Sequence, residues 1–235
     1  MDLNQSFLET LTESFQIYLK TGARSNEKLK ILHGKIACDL ENKLQKESKE
    51  FNVYAYGIGN GKEKTLNGNY YDKTVDIAIF KNEKAIAGIA VKFVMSNFSQ
   101  NANNYFEGML GETANLRTQK LPYFQILILP ETLPYFKENG DVKKIEELKK
   151  QYLHKYFKLS QDNPNLFFHT PNKTLLVIVR LPDFHNANNK EEYKKICAKQ
   201  KLSYATKIKP PFEDGVIFND YAQFLEKVFH TILAQ

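Results

Sequence analysis

The spacing of apolar residues changes several times along the chain. Over residues 3–20 and 26–48 apolar side chains recur every three or four positions. In the second stretch Leu29, Leu32, Ile36, Leu40 and Leu44 fall near one stripe, which is the pattern of an amphipathic helix. Over 51–58 the period shortens to two, with Val53, Ala55 and Gly57 on one side and Tyr54, Tyr56 and Ile58 on the other, as in a strand. The Gly- and Asn-rich run GIGNGKEKTLNGN then reads as a loop. Two mostly apolar strands follow, at 75–80 and 85–94. Beyond them the pattern predicts a helix at 101–118 and a strand at 123–129 (YFQILIL). A lysine-rich amphipathic helix is predicted at 142–156, a strand at 174–180 (TLLVIVR) and a closing helix at 220–233.

The runs YFQILIL and TLLVIVR are apolar at nearly every position. Strands of that kind are buried on both faces and belong to the centre of a sheet covered by helices. The expected fold is therefore α/β: a mixed central sheet flanked by helices, with helices leading the chain. No repeat, low-complexity tract or Pro/Gly/Ser linker divides the 235 residues, so a single domain over 1–235 is expected.

Within the strand pair at 75–94, two residues break the apolar pattern: Asp76 on the first strand and Lys92 on the second. A buried unpaired charge is strongly disfavoured, so the two need a reason. A three-residue loop at 82–84 would pair Lys81 with Ala85 and Asp76 with Ala90, leaving Lys92 as the diagonal neighbour of Asp76 on the same face. A two-residue loop would put the two charges on opposite faces. The competing explanation is an ordinary cross-strand ion pair. The wall of Ile77, Ile79, Ile86, Ile89, Val91 and Phe93 around them favours a site kept for chemistry.

Composition adds less. The net charge of +6 and a pI near 9.0 favour a polyanionic partner. No apolar run approaches the length of about 20 residues that a membrane span requires. The acidic, amphipathic start does not resemble a secretory signal. Cys38 and Cys197 are far apart and lack metal-ligand spacing, so a cytoplasmic protein with reduced thiols is expected. His33, His154, His169, His185 and His230 are scattered and give no metal or catalytic pattern. The loop at 59–64 lacks P-loop spacing, and no nucleophile elbow is present.

An aspartate on one strand, a hairpin, and x-x-Lys on the next resembles the PD-(D/E)xK nuclease superfamily. Its core runs helix, three strands, helix, strand. The resemblance covers about residues 28–180. Within it, YYDKTVDIAIF and AGIAVKFVMSNFSQNANNYFEGMLGETANLR look most like a type II restriction endonuclease. The resemblance implies a Mg²⁺-dependent enzyme, with Mn²⁺ as substitute, that cleaves double-stranded DNA as a homodimer. It implies Asp76 as principal metal ligand and Lys92 as the charge at the attacking water or phosphate. Two positions depart from the pattern: Val75 stands where many members have proline, and Ala90 occupies the acidic position. A substitute carboxylate is expected from the following helix, Glu107 by preference and Glu112 close behind. A further one is expected from the second helix, Glu41, with Asp39 as competitor.

Seven of the nine residues in SNFSQNANN, 96–104, carry amide or hydroxyl groups, which can reach base edges or phosphates. Ser99, Gln100, Asn101, Asn103 and Asn104 are the candidate DNA contacts, although Ser99 or Asn101 would also serve as a helix N-cap. Tyr71 and Lys73, with Tyr70, approach the same sheet edge. Arg117 is either a phosphate clamp or a favourable charge at a helix C-terminus. On the same core, the alternatives are a repair, structure-specific or toxin DNase, or a DNA-binding module without activity.

Overall fold

The computed structural model describes residues 2–57, 62–208 and 211–235. The chain opens with α1 (Leu3–Thr21) and α2 (Glu27–Leu44), followed by β1 (Phe51–Ala55), β2 (Lys64–Leu66), β3 (Lys73–Val75), β4 (Ile77–Lys81) and β5 (Lys84–Phe93). Next come α3 (Phe98–Arg117), β6 (Tyr123–Pro130), β7 (Thr132–Phe136), β8 (Val142–Glu147), α4 (Lys150–Gln161) and β9 (Lys173–Arg180). The chain finishes with α5 (Lys190–Cys197), β10 (Ser203–Tyr204), β11 (Val216–Phe218) and α6 (Tyr221–Leu233). Ile58, in the strand expected at 51–58, and Gly59, Asn60 and Gly61 of the loop lie outside the described residues.

Seven strands form one mixed sheet in the order β1-β4-β5-β6-β9-β10, with β11 on the same edge of β9 as β10. β1, β4 and β5 are antiparallel, whereas β5, β6 and β9 run parallel. All eight residues of β6 are buried, as are the six central residues of β9, as expected for strands covered on both faces. One face is covered by α6, whose Phe224 packs edge-on against Phe124 of β6, and by α2; α1 lies across both helices. On the other face α3 packs on β6, with Thr113 of α3 beside Gln125, and α4 joins it through Phe106 and Tyr156. Among the described residues six helices flank the sheet.

The hairpin at 75–94 reaches the expected alignment by another route. The turn has two residues, Asn82 and Glu83, with Asn82 in the left-handed region at φ 48° and Lys81 opposite Lys84. A β-bulge then leaves Ile86 unpaired between the rungs Phe80–Ala85 and Ile79–Ala87, so Ile77 faces Ile89. One rung further, Asp76 faces Ala90, and Lys92 falls on the same side. The bulge supplies the extra residue that the loop lacks.

Two expectations need correction. The helix expected at 142–156 begins only at Lys150; residues Val142–Glu147 form β8, paired antiparallel with β7. Leu133 and Tyr135 of β7 are buried in the core, and that pairing overrides the weak three-residue spacing of Val142 and Ile145. The run 57–69, expected to be loop throughout, contains β2, which pairs with β3.

Candidate active site

The strand leading to β4 breaks at Asp76, between β3 and β4. The break turns its side chain across to β5, where Oδ2 accepts the Val91 N–H at 2.6 Å. This charge-assisted bond fixes the carboxylate and leaves Oδ1 free. Lys92 follows Val91 and is half-buried.

α2 brings a third group. The first half of this helix presses on the turn after β1: the Gly57 position, at φ +101°, touches the Lys30 carbonyl so closely that any Cβ would collide with it. His33 stands three residues after Lys30 on the same helix. His33, Glu63 and Asp76 each offer a ligand atom, and these three atoms lie within 4.8 Å of one another. The cluster borders an open pocket of about 600 Å³, beside Asn26, Tyr56, Lys62 and Thr74.

His33 is 1% exposed, and neither ring nitrogen has a hydrogen-bond partner among the described residues. Burial holds its pKa below the usual histidine value. Asp76 opposes the shift and Lys92 adds to it, so both charges act on the same imidazole. The ring is therefore neutral at neutral pH, with a lone pair available. Glu63 is an exposed residue whose carboxyl end is partly desolvated in the pocket. That desolvation, then the Asp76 charge, raises its pKa, and Lys73 counteracts.

The other expected ligands are engaged elsewhere. Glu112 is buried on α3. It accepts the Tyr123 hydroxyl and pairs with Lys73 at 3.1 Å, so it borders the Asp76 region with its oxygens already committed. Glu107 is exposed on α3, and its charge acts on Lys155 of α4 rather than joining the Asp76 cluster. The Glu41 carboxylate accepts the Val53 N–H at 3.0 Å and thereby caps the free edge of β1. Asp39 pairs with Lys35 at 2.7 Å and accepts the Tyr221 hydroxyl at 2.9 Å. Ala90 is 1% exposed in a small apolar cluster with Ala78, Leu116 and Tyr123.

The expected DNA contacts divide. Ser99 is not free: its hydroxyl bonds Tyr135 Oη at 2.7 Å and Glu146 at 3.0 Å, tying α3 to the β7–β8 hairpin. The N-cap of α3 is Asn97, not Ser99 or Asn101. Asn101 donates back to the Asn97 carbonyl, and Asn103 accepts from Lys155 at 3.1 Å. Gln100 and Asn104 are exposed. Lys73 is held by Glu112. Arg117 is buried and donates to the carbonyls of Pro164, Phe167 and Thr170. It is the basic residue of the last turn of α3, as one of the two expectations had it, and those carbonyls occupy its guanidinium, which leaves it no free donor set for a phosphate clamp. Tyr71 and Tyr70 are exposed at 54% and 81%, on a loop whose backbone is pinned by Asn115.

The sequence reading missed His33 and the placement of Glu63. The signal for His33 was present: it lies four residues from both Leu29 and Ala37 and three from Ile36, on the apolar side of α2. Comparison of the chain with protein-family models, with curated proteins and with solved structures gives no significant match.

Proposed function

We propose that this chain is a divalent-metal-dependent endonuclease that cuts double-stranded DNA at a specific sequence, in the manner of a type II restriction enzyme, with Mg²⁺ or Mn²⁺ as cofactor. The observation that carries the reading is the Asp76 carboxylate at the break between β3 and β4, bonded to the Val91 N–H of β5 next to Lys92 and lining an open pocket with Glu63, with the buried His33 beside them. The order α2, β1, β4, β5, α3, β6 supports it. Three antiparallel strands lead into a strand parallel to the last of them, which is the order that the resemblance to the PD-(D/E)xK superfamily implies.

A divalent cation at Asp76 would neutralise charge on the scissile phosphate and acidify a water molecule. The residues do the rest. The Val91 N–H holds one oxygen of Asp76, so the other keeps a fixed direction towards the pocket. Lys92 places an ammonium where negative charge grows on the phosphate and where a proton can be exchanged with water. The net charge of +6 draws the polyanion in. Gln100 and Asn104, on the helix that leaves the Lys92 end of β5, stand exposed for contacts with base edges or phosphates. A two-fold homodimer would match a palindromic site.

The test is incubation of supercoiled plasmid with the full chain and Mg²⁺ or Mn²⁺. Discrete fragments are expected, lost in Asp76→Asn and Lys92→Ala. A smear would replace the site-specific reading with a nonspecific, repair or toxin DNase. DNA that is shifted on a gel but uncut would replace it with a binding module, and DNA neither cut nor shifted would overturn the proposal.

A further inference from the structure

We propose that His33, Glu63 and Asp76 form a mixed nitrogen–oxygen site that takes a first-row transition-metal dication, Mn²⁺ ahead of Mg²⁺. The inference rests on the nuclease reading only for the use to which the metal is put.

Three observations carry it. The ligand atoms already lie within 4.8 Å of one another, close to what a shared cation needs. His33 is buried at 1% exposure with both ring nitrogens unpartnered among the described residues. Buried polar groups are nearly always bonded, and the exceptions call for an explanation such as an ion. The third observation is the strand register. β2 and β3 pair with Lys64 opposite Val75, so the next rung sets Glu63 opposite Asp76. On its other side, one step beyond the Ile77–Ile89 rung of β4 and β5, the register sets Asp76 opposite Ala90, which carries no ligand atom. The second carboxylate therefore stands on the outer neighbour of Asp76 instead of the inner one. Glu112, Glu107 and Glu41 have the other engagements described above.

The donor set decides the metal class. Mg²⁺ takes hard oxygen ligands in near-ideal octahedral geometry and keeps several waters. Imidazole suits transition metals, and two carboxylates beside it suit Mn²⁺. A buried neutral imidazole that reaches the same point as two carboxylates thus biases the site away from Mg²⁺.

The experiment is Mn²⁺ titration of the metal-free full chain, followed by the electron paramagnetic resonance of free Mn²⁺, with Mg²⁺ as competitor. Nitrogen hyperfine modulation is read on the bound ion. One Mn²⁺ site per chain is expected, at least about tenfold tighter than for Mg²⁺, with nitrogen coupling that disappears in His33→Leu. Glu63→Ala, at an exposed position, is expected to weaken Mn²⁺ by about tenfold or more. Bound Mn²⁺ without nitrogen coupling, equal affinity for Mg²⁺, or unchanged binding in Glu63→Ala would each overturn the site. If Mn²⁺ binds as expected and no DNA is cut, the site stands and the nuclease reading falls. If DNA is cut and Glu63→Ala binds and cuts as wild type, the reverse holds.

Discussion

Two helices bury polar side chains against this sheet, and they treat them differently. The last turn of α3 carries Asn115 and Arg117. Asn115 bonds the backbone of Tyr70 and Tyr71, while Arg117 holds three carbonyls of the 164–170 turn. Their polar atoms are used up in shaping loops. The first half of α2 carries His33, equally buried and without a hydrogen-bond partner among the described residues, beside the carboxylate of Asp76. Saturated polar groups organise the chain, and unsaturated ones are held open for something that arrives. That contrast separates Arg117, which looks like a phosphate ligand in the sequence, from His33, which looks like core.

Substitutions on the two helices and at the carboxylate beside His33 should therefore fail in different ways. The largest effect is expected from Asp76→Asn. An amide oxygen still accepts the Val91 N–H, so the fold should survive with Tm within a few degrees, while plasmid cleavage should drop on the order of 10³-fold. Cleavage near the wild-type rate would remove Asp76 from the site. Next, Arg117→Met should lower stability by about 3 kcal/mol in urea unfolding, because three carbonyls lose a charged donor. The same variant should leave Mn²⁺ affinity unchanged, and a selective loss of binding would break the contrast. Asn115→Ala should cost about 1–3 kcal/mol and loosen the Tyr70–Tyr71 loop, seen as faster amide exchange there. His33→Leu should change stability the other way, neutral to about 1 kcal/mol more stable without metal, since an unsatisfied buried group is removed. A marked destabilisation would mean that His33 is an ordinary core histidine with a partner. The smallest test concerns the thiols. Burial pushes the Cys197 pKa up to about 12, whereas Cys38 is exposed. A thiol reagent at pH 8 should therefore label one cysteine per native chain and two after unfolding.

Much of the fold was legible because its strongest signals are local. YFQILIL and TLLVIVR can only be interior strands, and the stripes of α1, α2 and α6 fix which sides face inward. The error at 142–156 arose where lysines and glutamates dilute the pattern. A spacing of three between Val142 and Ile145 suits a helix, and only the distant β7 makes it a strand. The same distinction governs the site. Asp76 and Lys92 stand out because they interrupt apolar strands. Glu63 does not, since its position follows from a three-residue ladder between β2 and β3 that no periodicity announces. The five histidines are scattered without metal or catalytic spacing, so His33 carries no such signal in the sequence, and its significance appears only where the fold sets it beside Glu63 and Asp76. The amide-rich run at 96–104 shows the opposite failure: suitable chemistry is present, but Ser99 and Asn103 are occupied by neighbours that the local sequence cannot reveal.

The unpaired Ile86 has a consequence for how the strands find their alignment. From the two-residue turn the hairpin could zip along either of two tracks, one residue out of step with each other, and the kink at Ile86 commits it to one. On the rejected track Lys92 would swing under the helices and Ile89 and Val91 would turn to the opposite side. Driving an ammonium into a greasy layer is steeply uphill. The lysine proposed to act on the phosphate is thus also a latch against mis-threading, and swapping it for an aliphatic residue would erase both roles at once.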